Sequence, residues 1–167
     1  QLDYLENMPV MLNRLANSEI EARATPRGVL DIVGCVACGF VWNRCFDPDK
    51  VLYDLNYEND QTHSYAFRQH LQSIAAKVLA AVSADDVTEI VEVGCGQAVF
   101  LRTVASEAGP QLRRAVGFDP AFRSQDGLVD KRIQVFKDFF DEGTVKLLES
   151  SPSLVITRHT IEHVADP

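Results

Sequence analysis

The chain has 167 residues, 46% hydrophobic and 24% charged, which is room for one full domain with a small appendage. Its net charge of −8 and its scattered Lys and Arg residues argue against nucleic acid as a partner. No apolar run reaches the roughly 18 residues that cross a bilayer, so no membrane partner is expected. Four cysteines, two of them as Cys35-x-x-Cys38, suit a metal or thiol pattern better than a disulfide framework. The N-terminal QLDYLENMPV lacks the basic and apolar regions of a signal peptide, and the compartment expected is the cytoplasm.

Residues 1–56 read as a small irregular leader, with Pro, Gly and Asn among short apolar runs such as Val29 to Val33. From residue 57 the pattern becomes that of one larger domain, 57–167. Phe67, Leu71, Ile74, Ala75, Val78 and Val82 recur at helical spacing, with Thr62 or Ser64 placed to cap the start and residues 83–86 to end it. Thr88 to Val93 is a β-rich run, and Ala98 to Ala108 is helix-periodic up to Gly109-Pro110. Arg114 to Phe118, Ile133 to Phe136 and Leu154 to Thr157 read as further strands, with a short helix starting at Thr144 to Leu148. Strands that alternate with helical stretches imply parallel pairing through right-handed crossovers, hence a Rossmann-like open α/β sheet.

In such a sheet, ligands sit at the carboxyl ends of the strands. Gly94-Cys95-Gly96 follows the first strand of the domain and precedes a helix, so its backbone can turn sharply and approach a ligand. Asp119 ends the next strand, where a carboxylate can accept both hydroxyls of a ribose. Loop and acid together point to an adenosine cofactor. A dinucleotide fingerprint would place Gly or Ala where Val99 stands, and Glu92 beside the loop would oppose a pyrophosphate. A ligand with an ammonium and a sulfonium fits Glu92 better, which disfavours a nucleotide-dependent oxidoreductase.

These residues resemble the class I S-adenosylmethionine-dependent methyltransferases. Their acid-x-Gly-x-Gly-x-Gly motif stands here as Glu92-Val93-Gly94-Cys95-Gly96-Gln97-Ala98, with alanine in place of the last glycine. The resemblance implies that Asp119 in GFDP holds the ribose, and that Asp138 and Phe139 in KDFF meet the adenine amine and ring. It also implies that Tyr57 and Ser64 in YENDQTHS cover the methionine end of the cofactor, S-adenosylmethionine. VITRHTIEHVADP, 155–167, resembles the family's fourth strand and following loop.

Cys35 and Cys38, followed by Gly39, can form a knuckle that offers two thiolates to a metal, or can be two free thiols. Cys45 is a candidate third ligand, and Cys95 reads as a small packed residue. The leader from Met8 through CVACGFVWNRCFDP resembles that of bacterial C-methyltransferases of deoxysugar biosynthesis. Those carry a zinc domain with a second C-x-x-C upstream, so the resemblance implies zinc at Cys35 and Cys38 only where that pair is present. It also implies a small-molecule methyl acceptor and C-methylation of a nucleotide-linked sugar.

Candidate catalytic groups lie just after the last strand. His159 in the loop can act as a base, while Glu162 and His163 can either assist or simply begin the next helix. Four strands against the family's seven lead to the expectation of a fragment, with activity of the piece alone in doubt. The competing reading is a non-catalytic methyltransferase-like interaction module, against which the intact Glu92, Gly94, Gly96 and Asp119 argue.

Overall fold

The computed structural model describes residues 1–10, 13–51, 57–58, 60–83, 86–123, 127 and 131–164. The chain divides into two compact units, Gln1–Glu58 and Asn59–Pro167.

In the first unit, three strands form an antiparallel sheet in the order β1-β2-β3: β1 is Asp3–Pro9, β2 Arg27–Gly34 and β3 Val41–Asn43. A short helix, α1 (Glu19–Arg23), is capped by Ser18, whose hydroxyl accepts from Glu21 N–H. This corrects the expectation of an irregular leader. Alternation failed as a signal because β1 is exposed at every position but Met8, so its sequence has no buried face to advertise. The pairing also slips between Leu5 and Met8, where Asn7 has φ 59°. Asp31 on β2 is buried and accepts hydrogen bonds from Arg44 and from Gln1 Nε2. Burial pushes its carboxyl upward, but those hydrogen bonds win and hold it below the usual aspartate range.

The second unit has the expected open parallel sheet, in the order β6-β5-β4-β7. Strand β4 is Glu89–Val93, β5 Arg114–Phe118, β6 Ile133–Phe136 and β7 Leu154–Thr157. The chain steps outward from β4 to β5 to β6, then crosses back to add β7 on the other side of β4. That reversal is a topological switch point between β4 and β7, and open parallel sheets bind their ligands outside the carboxyl ends of the strands at such a point.

Helix α2 (Tyr65–Ala81) begins at Ser64, whose hydroxyl accepts from Phe67 N–H at 3.3 Å. It buries Leu71, Ala75 and Leu79, four residues apart along one face. Helix α3 (Val99–Glu107) buries Phe100, Leu101, Val104 and Ala105. Both helices pack with Ile90, Ala115, Ile133, Val135 and Ile156 from one face of the sheet. Val91, Val116 and Phe118 form a second cluster on the other face, with Phe136, Phe140 and Leu148 against it. Burying each large apolar side chain of this kind contributes roughly 1.5–3 kcal/mol.

Two local details depart from the sequence pattern. Ala98 is the residue before α3 rather than its first turn. The expected helix at 144–148 is a single 3₁₀ turn, Thr144–Leu147, because Asp141 Oδ1 accepts from both Gly143 N–H and Thr144 N–H and turns the chain there. Helix α2 ends at Ala81, just ahead of the stop expected at 83–86; residues 84–85 of that stop and the last residues of the 155–167 stretch lie outside the described residues.

Candidate active site

The site is assembled from four strand ends. Strand β4 delivers Glu92 and the glycine loop, β5 delivers Asp119, β6 leads to Asp138 and Phe139, and β7 delivers Arg158 to Thr160.

Gly94 has φ +70° and Gly96 φ +55°, so the loop bends through the left-handed region twice within three residues. A Cβ on Gly94 would lie 2.1 Å from Thr160 Oγ1 and 2.6 Å from its Cγ2. Glycine is therefore required there both by backbone angle and by space. Ala98 is also left-handed, at φ 59°, and wholly buried. This is where the sequence motif would place its third glycine, and a left-handed alanine costs on the order of 1–2 kcal/mol. Cys95 points inward beneath Gly117, where an added Cβ would come 2.5 Å from its sulfur. Burial pushes its thiol well above the ordinary range, as expected of an inert packed cysteine.

Asp119 fastens the loop. Its Oδ2 accepts from Gly96 N–H at 2.7 Å and its Oδ1 from Ala121 N–H at 2.8 Å. Each carboxylate oxygen keeps a second lone pair, so both can still accept from a diol. Gln97 ties the same two segments together. Its Nε2 donates to Ala121 O at 3.0 Å, and its Oε1 accepts from Arg123 N–H at 3.2 Å.

Glu92 is 2% exposed, and its Oε2 has no hydrogen-bond partner. Burial pushes its carboxyl up to about 8, against the opposing effects of the Arg158 charge and the Leu101 backbone N–H in the first turn of α3. A buried acceptor left without a donor is what an ammonium group would complete. The donor set thus fits S-adenosylmethionine, whose ribose diol would meet Asp119 and whose ammonium would meet Glu92.

The methyltransferase-domain family matches residues 66–167. The chain belongs to that family. It is a class I S-adenosylmethionine-dependent methyltransferase. A search of curated proteins found no match.

The methyltransferase brings Glu92, Gly94, Gly96 and Asp119 together at the switch point. Asp138 is exposed, and its Oδ1 accepts from Phe139 N–H at 2.8 Å; the Phe139 ring is 62% exposed. Ser64 is exposed and caps α2. Tyr57 falls in the first unit, where its hydroxyl accepts from Asn13 Nδ2 at 3.2 Å. His159 is exposed at φ 51°, and Glu162 and His163 are exposed on the 3₁₀ turn Ile161–His163 that follows.

Sequence reasoning missed three residues of the methyltransferase site. Thr160 walls the glycine loop, with its Oγ1 donating to Arg158 O at 2.9 Å. Arg158 lies 4.0 Å over the Phe100 ring, and its positive charge acts against the upward shift of Glu92. Gln97 is the clamp described above. A cation directly after an apolar strand was the available signal for Arg158; Thr160 and Gln97 had none, since their partners lie 66 and 24 residues away.

In the first unit, the Cys35 to Gly39 turn is closed by Gly39 N–H donating to Cys35 O at 2.8 Å. Backbone N–H groups of Cys38 and Ala37, with the Cys38 thiol, pull the Cys35 thiol below its ordinary value. Among the described residues, no three His, Cys, Asp or Glu side chains converge to hold a metal. No described helix is long and apolar enough to cross a membrane.

Proposed function

We propose that the methyltransferase acts on a small molecule, and that its acceptor is a carbon of a nucleotide-linked sugar. The observation that carries the cofactor half is the unpartnered Oε2 of the buried Glu92, beside the left-handed glycine loop and Asp119. When bound, S-adenosylmethionine supplies a methyl group on a cationic sulfonium. Gly94 and Gly96 admit the backbone to close approach, Asp119 accepts from the ribose hydroxyls, and Glu92 faces the ammonium. Asp138 and Phe139 are assigned to the adenine, and Ser64 to the methionine end.

For the acceptor half, support comes from His159, an exposed imidazole in the loop directly after β7. His159 accepts a proton from a carbon next to a carbonyl, whose acidity the carbonyl raises, with the imidazole as general base. Glu162 and His163, on the next turn, orient the acceptor. The sugar assignment rests on the leader's resemblance to deoxysugar C-methyltransferases. Cys35 and Cys38 are proposed as zinc ligands only where a second, upstream cysteine pair is present to complete the site, a role their backbone-supported knuckle suits.

Calorimetric titration with S-adenosylmethionine, S-adenosylhomocysteine and NAD tests the cofactor half. Micromolar binding of the first two without NAD supports it; the reverse pattern overturns it. Transfer of a labelled methyl group to a nucleotide-linked keto sugar, lost in His159→Ala with cofactor affinity kept, tests the rest.

A further inference from the structure

We propose that the methyltransferase carries a second ligand site, for a phosphate or phosphate monoester, at the amino-terminal end of its parallel sheet. A cavity of about 320 Å³ opens there, lined by Arg113, Arg114, Lys131 and Arg132 together with Glu89 and Glu149. Four cations against two carboxylates leave a surplus of two positive charges, in a chain whose net charge is −8. The volume is at the lower end of small-molecule pockets, enough for a phosphate with a small organic group.

Arg114 is the anchor. Its side chain is 17% exposed, and its Nη2 donates to Gln134 Oε1 at 2.9 Å, which fixes the guanidinium plane. Its Nη1 is buried without a hydrogen-bond partner and faces Glu149 Oε1 at 3.4 Å and Glu89 Oε1 at 3.9 Å. Glu89 is buried and held in place, with its Oε2 accepting from the Ser150 hydroxyl. Glu149 is 80% exposed, so its attraction for Arg114 is screened and easily replaced. A tetrahedral oxyanion in place of the Glu149 carboxylate would give Nη1 the acceptor it lacks.

Arg113 and Lys131 complete the site. Both are exposed, and among the described residues neither side chain has a hydrogen-bond or ion-pair partner. Glu89, Arg114 and Ile133 are the first residues of β4, β5 and β6, whereas the glycine loop follows the last residue of β4. At about 3.3 Å per residue, the length of β4 separates this cavity from the methyl-transfer end.

Titration with inorganic phosphate at constant ionic strength tests the site, with near-ultraviolet circular dichroism confirming that each variant is folded. Saturable binding is expected, weakened about tenfold or more in Arg113→Gln/Lys131→Gln and tightened a few-fold in Glu149→Gln, where the competing charge is gone. Non-saturating uptake, or affinity unchanged in the folded variants, would reduce the cluster to a solvated rim and overturn the proposal. None of these outcomes depends on cofactor binding.

Discussion

Asp119 holds the glycine loop directly, its Oδ2 accepting from Gly96 N–H at 2.7 Å. One carboxylate thus joins the ends of two adjacent strands and keeps lone pairs with which it would accept from a ribose diol in the proposed role. Asp119→Ala should weaken S-adenosylhomocysteine binding by roughly 1–3 kcal/mol, since buried hydroxyls and the Gly96 amide lose their acceptor together. Calorimetry on the variant checks this, and unchanged affinity would remove Asp119 from the site.

Glu92 gives the stability a pH dependence of defined sign. Burial raises its folded-state value to about 8, above that of an unfolded glutamate, so ionisation is disfavoured in the fold. Its unfavourable contribution is absent below the unfolded value near ~4.3, grows as pH rises, and is complete once pH passes the folded value. Glu92→Gln should therefore be more stable than the parent at pH 8.5 by up to ~5 kcal/mol, with the gap shrinking to ~1–2 kcal/mol at pH 5.5. Urea unfolding at both values measures it; an equal gap at the two would mean that Glu92 titrates as an ordinary carboxyl. The same variant should bind the cofactor more weakly, because its neutral amide cannot pair with the ammonium.

Arg158 acts on that carboxyl through charge. It is held over Phe100 at 4.0 Å and opposes the upward shift of Glu92. Arg158→Met keeps much of the contact with the ring and removes the charge. The midpoint of the pH–stability profile should then move upward, a readout that mere loss of packing would leave in place.

Gly94→Ala meets both a backbone and a steric penalty. At φ +70° the added methyl would sit 2.1 Å from Thr160 Oγ1. A loss of about 2–4 kcal/mol is expected from left-handed strain and overpacking combined. Thr160→Gly in the same chain should restore the steric part. A double-mutant cycle that shows no coupling would separate the two residues.

The four thiols should divide by environment. Cys38 and Cys45 are exposed, Cys35 is half-buried with backbone donors lowering its thiol, and Cys95 is buried with its thiol raised. Alkylation near pH 7.5 should modify Cys35 ahead of Cys45 and leave Cys95 intact until denaturant is added. Early labelling of Cys95, followed by mass spectrometry, would show the glycine loop opening.

Much of this methyltransferase was legible in its sequence because the signals were local. Strand β5 at 114–118, β6 at 133–136 and β7 at 154–157 follow from short apolar runs bounded by turn residues, and α2 from its four-residue spacing. The turn at Gly94 and Gly96 after β4 and the place of Asp119 at the end of β5 could be read because turn chemistry and strand ends leave marks within a few residues. By contrast, only the tertiary structure put Thr160 against Gly94, Arg158 over Phe100 and Arg114 beside Glu149, because strand crossovers bring together segments 35 to 66 residues apart. The same holds for the first unit's sheet, where β1 pairs with β2 through backbone hydrogen bonds that every residue can make. Sequence determines which segments prefer to extend or coil. Which side chains then meet at a strand end is decided by the order in which the strands are laid down.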